Sequence, residues 1–241
     1  MSQDGRGPRG GLLLIAALPW YDFEEVRHLD DALWTRWRQA LRAERVVAPE
    51  GLTRGRSWRS LVADELLLVT QLCGWVVPEL PPRIEVVGVP AWEGYRQATY
   101  RSVVVRSGPG ERVVINAWDS HSGCNALREF GVAVQDAQVS GSHVRSLEIL
   151  ACGEADIAAI DRATWCRLET YRPELLQGLD RLGETGPAPA PPLVTGRPDL
   201  VEVLRRTFPA RLFAADRAPY LDRFGSFYPP SCTPSPPPLT Q

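Results

Sequence analysis

The stretch 116-NAWDSHSGCNALREF-130 places a polar turn directly in front of an apolar pattern with helical spacing. We expect a strand to end at Asn116 and a helix to begin near Ser122. The first turn of a helix presents unpaired N–H groups and a partial positive charge. Ser120 and Ser122 add hydroxyl groups there, and Gly123 would let a ligand approach the backbone closely. The stretch predicts an anion-binding turn, with a simple serine N-cap as the alternative.

Catalytic and metal-binding interpretations of the same stretch are weaker. Ser122 lies in S-G-C and not in the G-x-S-x-G turn of a hydrolase. Cys124 falls inside the predicted helix, where a small apolar residue packs. The three histidines, His28, His121 and His143, lack the spacing of a zinc-binding helix. We therefore predict no catalytic residue, no metal site and no cofactor, and interpret His121 as a side chain that modifies a pocket.

The segment 140-SGSHVRSLEILACGEADIAAID-161 repeats this design. A short strand precedes a turn of small residues, and a helix opens at Ser142 or His143. His143 could donate a hydrogen bond to a bound oxyanion or cap its own helix. A third such turn is 70-TQLCGW-75, and Tyr21, after the first strand, supplies an aromatic wall with a polar tip.

Short apolar runs alternate with helical patterns along the chain. Leu29, Leu33, Trp37 and Leu41 recur every four residues, as expected of a helix with one buried face. This alternation predicts an α/β protein with mainly parallel sheets, whose ligands bind beyond the carboxyl ends of the strands. The predicted strands are 12–18, 65–71, 84–89, 101–107, 112–116, 137–141 and 155–160, and a second helix follows Val144, Leu147 and Leu150 or Ala151.

Two segments, 90–100 and 186–196, interrupt the α/β pattern. We interpret them as crossings between two lobes. Lobe one is predicted to contain residues 11–92 and 194–228, lobe two residues 96–187, and the ends 1–10 and 229–241 to be disordered.

The composition excludes several classes of partner. The formal net charge is −2 and the 27 basic residues are scattered, so neither nucleic acid nor an anionic membrane is an expected partner. The five cysteines lack C-x-x-C spacing, which favours reduced, mostly buried thiols. The apolar run 11–18 imitates a secretory signal but is short, and we interpret it as the first core strand. No run approaches the length of a membrane span.

Together these pieces resemble the phosphate/phosphonate-type substrate-binding proteins of ABC transporters, a PhnD/SsuA/transferrin-like family with the two-lobed type 2 periplasmic-binding fold. The matching segments occur in the family's order over most of residues 12–196. They are 17-ALPWYD-22, 70-TQLCGW-75, 100-YRSVVVR-106, 116-NAWDSHSGCNALR-128, 140–161 and 192-PLVTG-196.

The resemblance implies roles for ten residues. Ser120, His121 and Ser122, with Gly123 in the same turn, would hold the anion, and His143 would join them. Tyr21 and the turn of Gln71, Cys73 and Gly74 would close over the ligand from the other lobe. Asp161 would face the crevice or cap a helix.

The function implied is non-catalytic binding of a small oxyanion, with hinge motion near 92–96 and 187–194 and a transporter permease as a possible partner. The alternatives are an enzyme, such as a lyase or synthase, on the same scaffold, and a ligand-sensing module. Because neither a signal peptide nor a lipoprotein cysteine is evident, the sequence favours a cytoplasmic relative, with a periplasmic location as the alternative.

Overall fold

The computed structural model describes residues 14–225, so the predicted disordered ends and Cys232 lie outside the described residues. Within this range no helix is both long and apolar enough to span a membrane. The strands are β1 Ile15–Ala17, β2 Leu67–Gln71, β3 Glu85–Pro90, β4 Thr99–Tyr100, β5 Ser102–Arg106, β6 Val114–Ile115, β7 Gln138–Val139, β8 Ile157–Asp161, β9 Asp180–Glu184, β10 Ala188–Pro189, β11 Leu193–Thr195 and β12 Leu212–Phe213. The α-helices are α1 Arg27–Ala43, α2 Trp58–Ala63, α3 Ala126–Glu129, α4 His143–Ala151, α5 Arg162–Tyr171, α6 Val201–Thr207 and α7 Ala218–Phe224.

Two sheets organise the described chain into two lobes. The sheet of lobe 1 has the strand order β1-β2-β11-β3-β12, and that of lobe 2 the order β8-β5-β9. The β6–β7 pair lies beside the second sheet, which it meets through a bridge between Val113 and Ile157. All seven predicted strands are present, six of them shorter than predicted and β3 shifted by one residue, and the α/β class is confirmed.

The expectation of mainly parallel sheets was wrong. β1 pairs with β2 and β6 with β7 in parallel, but β11 is antiparallel to both β2 and β3, and β5 is antiparallel to both β8 and β9. β5 and β11 are the strands that follow the two crossings between lobes. Each enters the middle of a sheet against the direction of its neighbours, so antiparallel pairing prevails.

Each sheet is covered on both faces, as its uninterrupted apolar strands require. In β5, Val103 and Val105 belong to one apolar cluster and Val104 to the opposite one. The alternation follows from the two-residue period of a strand. In lobe 1, Leu67 packs in one cluster and Leu68 in the other, which also holds the large rings of α1.

The buried stripe of α1 differs from the prediction at its first residue. Leu33, Trp37 and Leu41 are buried, whereas Leu29 is 36% exposed and Trp34 is buried instead. A step of four residues turns 400° around a helix, so a strict four-residue spacing drifts by about 40° at each step. Leu29 has drifted off the face that meets the sheet.

The two connections between lobes pair with each other. β4 and β10 form a short antiparallel ribbon, with Tyr100 opposite Ala188 and Thr99 opposite Pro189. The second connection lies within the predicted hinge segment 187–194. The first lies a few residues beyond 92–96, after a turn in which Gln97 has a positive φ of 55°.

Candidate functional site

The ends of several strands surround one cavity of about 320 Å³ between the lobes. Lobe 1 supplies the loop after β1, Trp58 at the start of α2, and Cys73 after β2. Lobe 2 supplies the loop after β6, the residues around the start of α4, and Thr164 in the first turn of α5. Predicted site residues in the lining are Tyr21, Cys73, Ser120 and His143. The predicted convergence of strand-end turns is therefore present.

The turn after β6 is capped by Ser120. Its Oγ accepts a hydrogen bond from Gly123 N at 3.2 Å, and residues His121–Asn125 form a π-helical turn that continues into α3. Because the Ser120 oxygen acts as acceptor there, its hydroxyl hydrogen can donate either to Ser122 Oγ, 3.3 Å away, or to a group in the cavity. His121 N donates to Cys73 Sγ at 3.4 Å, a contact that joins the two lobes.

Ser122 and His143 form the central polar contact between the two predicted anion-binding turns. Ser122 Oγ and His143 Nε2 are 2.8 Å apart, and Ser122 Oγ is also 3.3 Å from Ser120 Oγ. Burial lowers the pKa of His143 to about 4, more than the backbone of Ala159 raises it. At neutral pH the imidazole is uncharged, so it offers a donor or an acceptor but no net charge.

The start of α4 has the same construction. Ser142 is the N-cap, and its Oγ accepts from Arg145 N at 3.1 Å. The helix begins at His143, so the histidine lies at the first helical position and in the cavity lining. The two predicted helix starts thus bring two capping hydroxyls and one neutral imidazole to the same cavity.

Asp161 caps a helix, which is one of the two roles that the sequence allowed for it. Its Oδ1 accepts from Ala163 N at 2.8 Å and Thr164 N at 3.1 Å, so it caps α5. The carboxyl is fully buried and does not line the cavity, and burial raises its pKa to about 6. Its Oδ2 has no hydrogen-bond partner among the described residues.

Two glycines serve packing between protein segments. A Cβ at Gly123 would lie 1.9 Å from Asn116 Oδ1, so the close approach predicted for a ligand is made by Asn116. A Cβ at Gly74 would lie 3.0 Å from both Pro189 O and the Tyr220 ring. Neither glycine lines the cavity.

The His121 ring points away from the cavity. It stacks on Trp75, with centroids 6.1 Å apart, and packs against Phe224 and Tyr100 at 4.9 and 6.0 Å. Its Nδ1 is 2.9 Å from Asn125 Nδ2, and burial lowers its pKa to about 4. The ring therefore belongs to the contact between the lobes, and the structure does not place it as a modifier of the pocket.

The remaining predicted residues are buried as well. Gln71 Nε2 donates to Pro191 O at 2.9 Å, which links β2 to the segment before β11. Gln71 therefore does not line the cavity. Cys73 is in the lining, and burial raises the pKa of its thiol to about 11. Tyr21 OH is hydrogen-bonded to Tyr95 OH. Cys124 is fully buried in an apolar cluster, as predicted for a packing residue.

Sequence reasoning missed several lining residues. Asn116 was predicted only as a strand end, yet it lines the cavity and its Oδ1 lacks a hydrogen-bond partner in the described chain. Trp20, Phe23 and Trp58 were not singled out, although the first two flank Tyr21 in the strand-end loop. Asp119, to which the sequence assigned no role in the site, accepts from Trp58 Nε1 at 3.0 Å and Arg59 Nη1 at 2.9 Å, across the cavity mouth.

Comparisons with known proteins agree with this architecture. Residues 110–226 match the model of a family described as ABC transporter, phosphonate, periplasmic substrate-binding protein. No protein among the curated sequences matches the chain.

Solved structures share the fold at low sequence identity. PhnD1 of Prochlorococcus marinus, in complex with methylphosphonate, is 15% identical with a TM-score of 0.67, covering 88% of this chain and 97% of its own. A binding protein of an ABC phosphonate transporter from Pseudomonas aeruginosa is 13% identical with a TM-score of 0.57, covering 81% and 74%. A Xanthomonas citri protein bound to ATP is 14% identical with a TM-score of 0.58, covering 88% of each chain.

The structural likeness establishes the fold, and the family model covers the segment that holds both helix starts of the site. Over residues 110–226 the chain is similar to the periplasmic substrate-binding proteins of phosphonate ABC transporters, and it shares the fold of the solved binding proteins.

Proposed function

We propose that this protein binds a phosphonate in the cavity between its lobes and presents it to an ABC transporter permease. The observation that carries the proposal is the Ser122–His143 contact of 2.8 Å, which joins two capped helix starts at one cavity. Hydroxyl groups, first-turn N–H groups and a neutral imidazole together form a set of hydrogen-bond donors for oxyanion oxygens. The family match and the methylphosphonate complex of PhnD1 support the same ligand class.

The proposed ligand contacts follow from the lining. Ser120 and His143 reach the cavity directly, and Ser122 acts beside them through its bond to His143. Tyr21 and Cys73 close the site from lobe 1. His121, Gln71, Gly74, Gly123 and Asp161 support this arrangement through contacts within the protein.

Further contacts between the lobes indicate how the lobes close. Across the cleft, Arg167 on α5 donates to Tyr21 O at 3.0 Å and lies 3.5 Å from Asp30. We propose that the β4–β10 ribbon is the hinge and that ligand binding favours this closed arrangement. The family's location supports a periplasmic site of action, in place of the cytoplasmic location that the sequence favoured.

A catalytic role has less support. The Ser122–His143 pair has the spacing of a nucleophile and a base, but in the described chain no carboxylate is hydrogen-bonded to the histidine ring. A plain binding protein therefore accounts better for the site.

A thermal-shift screen tests the proposal. Phosphate, phosphonates, sulfonates and small carboxylates are added in turn, and the melting temperature is measured. A ligand at 100 times its dissociation constant stabilises the fold by about 2.7 kcal/mol. We expect phosphonates to give the largest shift. The absence of a shift with every phosphonate, or a larger shift with carboxylates, would contradict the proposal.

A further inference from the structure

The part of the cavity wall that carries no anion-binding group is aromatic. Trp20 and Phe23 come from the loop after β1, and Trp58 is the first residue of α2. All three side chains are partly buried. Trp20 and Trp58 pack on an apolar cluster of lobe 1, and Phe23 on one of lobe 2. Each ring is anchored on the core and contributes its remaining surface to the cavity.

The Trp58 ring is held in a defined orientation. Its Nε1 donates to Asp119 Oδ2 at 3.0 Å, and the Arg59 guanidinium lies 4.3 Å from its ring centroid. Arg59 also binds Asp119, at 2.9 Å. An aromatic ring fixed on its polar edge and stacked on one face offers a rigid apolar surface to a ligand.

The charges around the cavity disfavour a second ionic group on the ligand. The charged side chains in the described lining are Asp22 and Asp119, and no arginine is among them. Asp22 is paired with Arg54 at 2.7 Å, and Asp119 with Arg59. A cationic substituent would compete with these arginines for the two carboxylates, and a second anionic group would find no cationic side chain in the described lining.

The cavity is also larger than a methyl group requires. Its volume of about 320 Å³ falls at the lower end of the range of small-molecule sites, roughly 300–1,000 Å³. A ligand that filled only the anion-binding turns would leave the three rings facing water. Burying that surface favours a substituent of matching shape.

Building on the proposed function, we infer that the ligand is a phosphonate whose carbon substituent is flat, apolar and uncharged, and that Trp20, Phe23 and Trp58 bind that substituent.

Isothermal titration calorimetry with phenylphosphonate and methylphosphonate tests this inference. The two probes share the anionic group and differ in the substituent. We expect phenylphosphonate to bind roughly tenfold more tightly, since it buries additional apolar surface. The variants Trp20→Ala and Phe23→Ala should each reduce this ratio severalfold and change the methylphosphonate affinity much less. Tyr171→Ala, which removes an exposed aromatic ring outside the lining, is the matched control and should keep the ratio.

The outcomes separate the two levels of the proposal. Equal or weaker binding of phenylphosphonate, with methylphosphonate bound, overturns the inference alone and leaves the proposed function in place. A preference for phenylphosphonate that both Trp20→Ala and Phe23→Ala retain also overturns it, because the substituent is then bound elsewhere. If neither phosphonate binds the folded wild-type protein, the proposed function fails and the inference fails with it.

Discussion

At the scale of single residues, His121 makes stability depend on pH. Its ring is buried between the lobes, and burial lowers its pKa to about 4 from the usual 6.5. The unfolded chain therefore binds a proton at His121 more readily than the folded chain does. The contribution of the neutral His121 ring to the free energy of unfolding is fully present above about pH 6.5 and is lost as the pH falls towards 4.

Replacing the ring with one that does not titrate should remove this dependence. We predict that between pH 7 and pH 5 the wild type loses about 2 kcal/mol of unfolding free energy relative to His121→Phe. Urea denaturation at the two pH values measures the difference. Because Asp30 and Asp161, with pKa values raised by burial to about 6, are present in both proteins, their opposite trend cancels in the comparison. Parallel pH profiles would show that His121 is not the titrating group.

Gly123 is required by its neighbour Asn116. A Cβ added to Gly123 would lie 1.9 Å from the buried Asn116 Oδ1, so the two atoms would overlap. We predict that Gly123→Ala destabilises the fold by about 1–3 kcal/mol, a typical cost of overpacking. Chemical denaturation measures this. In the Asn116→Ala background the same glycine substitution should cost much less, and an equal cost in both backgrounds would rule out this contact as the cause.

The direction of the His121 side chain could not be predicted from the sequence. The stretch 116–130 indicated a helix start, and the structure has one. However, residues His121–Asn125 form a π-helical turn, whose side chains project in directions that an α-helical start would not give. Ser120 and His143 reach the cavity as predicted, whereas the His121 ring lies against Trp75.

At the scale of elements, α2 is linked to the turn after β6 by Asp119. The carboxylate accepts from the Trp58 indole and pairs with Arg59, and both partners lie on the other lobe. The contact stands at the mouth of the cavity, which Trp58 and Asp119 both line. We interpret it as a latch that slows the departure of a bound ligand.

Removing the latch should accelerate release. For Asp119→Ala we predict roughly fivefold faster dissociation of methylphosphonate, the equivalent of one hydrogen bond of about 1 kcal/mol. Stopped-flow tryptophan fluorescence measures the rate. Glu44→Ala, which removes an exposed ion pair with Arg206 within lobe 1, is the control and should leave the rate unchanged. An unchanged rate in Asp119→Ala would exclude the latch.

The strands were predictable because they are short, apolar and buried on both faces, as in the run 101–107 that contains β5. Their pairing was not. β11 lies between β2 and β3 and pairs Leu193 with Gln71 and with Gly88, contacts that join residues far apart in sequence. A local pattern carries no information about such partners. The Trp58–Asp119 contact was not predicted for the same reason, since its two residues are 61 positions apart in the sequence.

At the scale of the whole molecule, two lobes joined by the β4–β10 ribbon enclose the candidate binding cavity, and contacts between distant segments hold the lobes together. Arg172 on the C-terminal side of α5 pairs with Glu25 at 2.9 Å, and His121 N reaches Cys73 Sγ. These contacts join segments of the two lobes and would have to separate when the lobes open. Closure of the lobes and occupation of the cavity are therefore expected to be coupled.

The central claim is that an oxyanion binds between the two helix starts joined by Ser122 and His143. Calorimetric titration of methylphosphonate into the wild type, Ser122→Ala and Ser107→Ala tests it most directly. Ser107, whose Oγ donates to Ala155 O at 3.3 Å outside the cavity lining, is the matched control. We predict saturable binding at one site, weakened about tenfold by Ser122→Ala and unchanged by Ser107→Ala. Equal affinities in all three proteins, or no binding to the wild type, would contradict the account.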